Sequence, residues 1–84
     1  MSSTYNDWDK LDELSKDLER ARVSLTEEFD AIDWYQQRIS ATKDPQLKRI
    51  LEHNRDEEKE HAAMLMEWIR KHDPAQEKAF QEHD

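Results

Sequence analysis

Asn54-Arg55-Asp56-Glu57-Glu58-Lys59-Glu60-His61 is the stretch of this chain whose reading decides the fold. On a seven-residue repeat, the inward positions of the second half are Leu47, Leu51, Asn54, Glu58, His61, Leu65, Trp68 and His72. The outer turns of that stripe are mostly apolar, whereas the middle turns carry residue types that ligate metals. A charge at a core position costs on the order of several kcal/mol unless something pairs with it. Glu58 and His61, one turn apart on one face, therefore require a partner.

The first half shows a matching interruption. Its seam runs Leu11, Leu14, Leu18, Ala21, Leu25, Glu28, Ile32, Tyr35, Ile39, and Glu28 is its one charged member. Folding back through Ser40-Ala41-Thr42-Lys43-Asp44-Pro45 makes the halves antiparallel and brings the Glu28 level towards the Glu58/His61 level. One carboxylate on one helix and a Glu-x-x-His pair on the next is half of the ligand set of a carboxylate-bridged di-iron site in a four-helix bundle. A two-fold dimer would complete it. Taken singly, Glu28 could be a snorkelling core carboxylate and His61 a core histidine bonded to a carbonyl; three such residues at matching levels favour metal.

Composition is compatible with that reading. The 84 residues make one small domain, spanning 1–84, with 35% hydrophobic against 40% charged residues, so the core of a single chain is thin and burial has to come from a partner. A mean hydropathy of -1.27 alone would admit disorder, but two unbroken seams, no Gly and three Trp argue for long ordered helices. The net charge of -8 excludes nucleic acid as a partner and favours cations. The absence of Cys excludes disulfides and thiolate metal sites. No apolar run approaches the roughly 18 residues of a membrane span and no signal peptide is recognisable, so a soluble cytoplasmic chain without membrane partners is expected.

These features predict an all-α fold: two long antiparallel helices, a helical hairpin, plus a short C-terminal helix. The first helix is expected over 7–39, capped by Asn6, with Asp7 and Asp9 in its first turn. At 1.5 Å per residue it would span roughly 50 Å. Pro45 disfavours helical geometry at Asp44 and suits the first helical position itself, so Asp44 caps a helix over 45–71 that closes on Arg70 and Lys71. Asp73-Pro74-Ala75-Gln76 repeats the Asp-Pro start and opens a short helix over 74–80. That helix either packs back through Ala79 and Phe80 or swings onto a neighbouring subunit.

Glu28-Phe29-Asp30-Ala31-Ile32-Asp33-Trp34-Tyr35-Gln36-Gln37-Arg38, Asp44-Pro45, and the block from Leu51 through Asn54-Arg55-Asp56-Glu57-Glu58-Lys59-Glu60-His61 to Ala62-Ala63-Met64 together resemble the encapsulated ferritin family, over about residues 26–73. The resemblance implies a two-helix ferritin-like subunit dimerising into a ferritin-like four-helix bundle. It implies a ferroxidase that oxidises Fe(II) to Fe(III) with dioxygen at a di-iron centre formed between two subunits. The iron ligands it implies are Glu28, Glu58 and His61 from each of two chains, with Tyr35 beside them as a further catalytic residue. Tyr35, an aromatic at a heptad position, reads equally well as core. The family forms homo-oligomers, with a dimer as minimal unit and an annular decamer as the expected ring. Its members feed iron storage inside an encapsulin nanocompartment of the prokaryotic cytoplasm, with the encapsulin shell protein as partner. No shell-docking tail is recognisable after Phe80, so that partner rests on the resemblance alone.

A second acidic group comprises Glu27 and Asp30 in the first half and His53, Glu57 and Glu60 in the second. From the residues alone it reads as a solvated charged face. The resemblance implies an inlet or secondary metal site there, taking Ca or Zn, although Asp30 stands where the family pattern has Glu. Two other classes fit the residues: a non-enzymatic helical oligomerisation module whose polar layers set register, and another di-metal bundle activity such as peroxide reduction.

Overall fold

Asp12 sets the start of the first long helix, its side chain accepting a hydrogen bond from Ser15 N at 2.7 Å and so satisfying one of the unpaired N–H groups of the first turn. In the computed structural model, which describes residues 7–83, α1 is Glu13–Ala41. The expected start near Asp7 is therefore displaced. Trp8–Lys10 form a separate 3-10 turn, Leu11 and Asp12 are extended, and Glu13 is the acidic residue of the first turn. No Gly or Pro marks this break; the capping carboxylate produces it. Asn6, expected as the cap, lies outside the described residues.

Helix α2 is Pro45–His72. Asp44 accepts from Gln46 N at 2.9 Å and Leu47 N at 3.3 Å, and Arg70, Lys71 and His72 close the last turn, the sign that the helix dipole favours there. After Asp73, which accepts from Gln76 N at 3.2 Å, α3 is Pro74–His83. It outlasts the expected end at Phe80 because Gln81, Glu82 and His83 include no helix breaker. Arg70 on α2 donates to Glu77 and lies 4.5 Å from the centroid of the Phe80 ring, so α3 folds back on the end of α2.

The long helices run antiparallel: Gln36 meets Arg55, Glu28 meets His61, and Arg22 meets Asp73. Between them sits a small core of Ala21, Leu25, Ala62 and Ile69, flanked by Ile32, Leu65, Met66 and Trp68, with Ile39 buried nearer the turn. On α2 the two most buried positions lie one residue past His61 and Trp68, so the expected stripe forms the margin of the hairpin interface rather than its centre. Leu14, Phe29, Trp34, Leu47, Ile50 and Met64 remain exposed. The accessible surface, 6575 Å², exceeds the roughly 5,300 Å² typical of a compact monomer of this mass. An elongated hairpin, 50 × 32 × 16 Å in extent, exposes more surface than a compact domain of the same mass.

Candidate metal centre

Glu28 reaches the centre from the middle of α1, one heptad beyond Ala21, and Glu58 and His61 reach it from one face of α2. Their positions follow from the antiparallel register, in which Glu28 and His61 face each other between the Gln36–Arg55 and Arg22–Asp73 pairs. One donor atom from each of the three lies within 4.8 Å of the others. His61 Nδ1 stands 3.6 Å from Glu28 Oε2 and 3.7 Å from Glu58 Oε2. The two carboxylates are largely covered, at 23% side-chain exposure each, and the histidine is half exposed at 49%, so the cluster is buried on its helix side and open on the other.

This geometry is costly for a protein alone. The Glu58 carboxylate facing Glu28, a hydrogen-bond partner only when a proton is shared between them, holds the Glu28 carboxyl above the ordinary carboxylate range; burial and repulsion from Glu58 push the same way, and His61 opposes them. Without that proton, Glu28 Oε2 is a buried acceptor with no hydrogen bond. A divalent cation removes both penalties. The donor set suits one, since hard oxygens with a single imidazole fit first-row metals. Three donors leave coordination positions for another source.

The Tyr35 ring, two turns from Glu28 on α1, packs edge-on against Trp34 with centroids 5.8 Å apart. Glu27, Asp30, His53, Glu57 and Glu60 are all exposed, His53 pairs with Glu57 on the same helix, and among the described residues these five do not converge as a metal-holding group. Two features escaped the sequence reading. Arg55 donates to Gln36 across the hairpin at 3.0 Å and to Asp56 at 3.0 Å, bracing α2 near the centre. Glu19 is buried on the outer side of α1 with an unpaired oxygen, and no heptad pattern could have found it.

Two long antiparallel helices that bring one carboxylate and a Glu-x-x-His pair together define a ferritin-like helical hairpin with a candidate carboxylate–histidine metal group. The chain belongs to the EncFtn-like family, whose model matches residues 3–83. It is 53% identical over 72 residues to the encapsulated ferritin-like protein of Rhodospirillum rubrum, covering 86% of this chain and 51% of that one. It is 46% identical over 55 residues to the encapsulin nanocompartment cargo protein EncC of Myxococcus xanthus, covering 66% of this chain and 42% of the relative. The chain thus spans about half the length or less of these curated relatives. The crystal structure of protein ne0167 from Nitrosomonas europaea superposes with a TM-score of 0.84 at 52% identity, covering 94% of this chain and 88% of that one. No helix of the described residues is long and apolar enough to cross a membrane.

Proposed function

We propose that this chain is one half of a ferroxidase: two copies meet at a two-fold axis, each contributing Glu28, Glu58 and His61 to a shared di-iron site, where Fe(II) is the substrate and dioxygen the oxidant. The observation that carries the reading is Glu28 Oε2, buried without a hydrogen bond inside a three-residue donor group that has an open side. Two Fe(II) ions would give one electron each to dioxygen, which with two protons from solvent leaves as hydrogen peroxide, and both irons become Fe(III). The protein's part is to hold and to exchange charge. Glu28 and Glu58 supply hard oxygens that suit the more highly charged product, and His61 Nδ1 supplies the nitrogen donor. The neighbouring Glu58 raises the proton affinity of Glu28, so protons and the cation compete for the same carboxylate.

Dimerisation is supported by the exposed apolar side chains and the excess surface. Tyr35, two turns from Glu28 on the same face of α1, is assigned to the wall of the completed site. The exposed group of Glu27, Asp30, His53, Glu57 and Glu60 is assigned to gathering divalent cations from solution. The names of the relatives support delivery of Fe(III) to storage inside an encapsulin shell. The test is aerobic Fe(II) oxidation followed by absorbance for the wild type and for Glu28→Ala, Glu58→Ala and His61→Ala. Each variant is expected to lose at least about tenfold in rate, since removing a metal ligand removes most of the site. Wild-type rates in all three would end the proposal.

A further inference from the structure

Glu19 is an anomaly of position. It lies two residues before the buried Ala21, and so about 160° round the helix from the hairpin core, yet only 7% of it is exposed. One of its carboxylate oxygens is buried without any hydrogen bond. A buried polar atom without a partner is expensive, and none of the described residues supplies one to this oxygen. The residue lines a cavity of about 370 Å³ together with Trp8, Arg20, Val23 and Ser24, under the 3-10 turn at Trp8–Lys10.

The neighbouring cations do not satisfy it. Arg20 donates to Asp17 at 2.9 Å, Lys16 pairs with Glu13 at 3.8 Å, and both stand against the Trp8 ring, 5.4 and 5.8 Å from its centroid. Among the described residues Arg20 is held by Asp17 and Lys16 by Glu13, so Glu19, the one carboxylate lining the cavity, has no ion pair. A single carboxylate suits a monocation. A divalent metal would want several more oxygens than Glu19 and the Ser24 hydroxyl provide. Trp8 and Val23 offer apolar wall to a short hydrocarbon stem, as a buried lysine stem finds in other proteins.

We propose that the cavity beneath Trp8 is a binding site for a primary ammonium on a short aliphatic chain, with the Glu19 carboxylate as its anchor and the Ser24 hydroxyl as a second acceptor. A free amine and a lysine side chain of another copy share this chemistry. The site is separate from the Glu28/Glu58/His61 group and does not depend on it.

The experiment is a titration of the whole chain with butylammonium at constant ionic strength, reading the Trp8 indole N–H resonance, which is assigned by its loss in Trp8→Phe. A saturable shift, weakened at least about tenfold in a Glu19→Gln chain of unchanged circular dichroism, is the expected result and identifies a free-amine site. A Trp8 resonance that moves with protein concentration before amine is added, and that butylammonium returns to its dilute position, supports the site with a second copy's lysine as occupant. Butanol titrated into the wild type needs no substitution and isolates the charge. The proposal is overturned by an equal response to butanol, by Glu19→Gln binding like the wild type, or by a resonance indifferent to both amine and protein concentration.

Discussion

Glu28 on α1 and Glu58 on α2 converge on one histidine, His61 Nδ1 lying 3.6 Å from the first and 3.7 Å from the second. Two carboxylates facing each other across a hairpin are a liability in a metal-free chain, and the raised affinity of Glu28 for a proton is the measure of it. A proton or a cation shared between them would relieve it.

Removing one of those charges should therefore relieve the metal-free protein. Glu28→Gln keeps shape and loses the repulsion, so thermal unfolding in chelator is expected to rise by about 2–5 °C, the shift that a fraction of a kcal/mol produces in a domain of this size. The same variant should lose the further rise that Co(II) or Zn(II) gives the wild type. Lower stability in chelator, with metal stabilisation intact, would contradict the reading of this pair.

The small core makes single apolar positions expensive. Ile69, 3% exposed between the long helices, anchors the end of the hairpin nearest α3. Ile69→Ala is expected to cost about 2–4 kcal/mol in denaturant unfolding, transfer and cavity terms together. A loss below about 0.5 kcal/mol would place the packing energy elsewhere.

Helix α3 should loosen in acid. The hydrogen bond from Arg70 holds the Glu77 carboxyl below its ordinary value of 4.5, with Coulomb attraction to Arg70 and a hydrogen bond from Gln81 adding to it against burial. A carboxylate lowered in the fold contributes stability that is present above the ordinary value and is lost as pH falls through the folded one. Amide exchange over residues 74–83 should therefore accelerate, relative to α1 and α2, once pH drops below about 4.5, and Glu77→Gln should show the faster exchange already at neutral pH. Uniform exchange in both proteins would remove Glu77 from the docking of α3.

The two long helices, the bend at Asp44-Pro45 and the level at which Glu28, Glu58 and His61 meet were all legible in the residues. Each depends on a strong local signal: an unbroken apolar repeat, a proline with its capping aspartate, a charge where the repeat asks for an apolar side chain. What escaped depends on packing that the repeat does not encode. Leu11 continues the heptad pattern, yet Asp12 and Ser15 cap α1 after it, so the helix begins later. Ala62 and Ile69 take the centre of the interface because small and β-branched side chains let the helices approach, which pushes His61 and Trp68 to the margin. Glu19 is hidden by the turn at Trp8–Lys10, a tertiary event with no periodic trace.

The central claim is that one chain holds half of a metal site and a second copy supplies the rest. Native mass spectrometry of the chain loaded anaerobically with Fe(II) tests it most directly. The expected spectrum shows two iron ions on even-numbered assemblies, none on the monomer, and no iron on any species of His61→Ala. Iron carried by wild-type monomers, or dimers that stay iron-free under the same loading, would contradict the account.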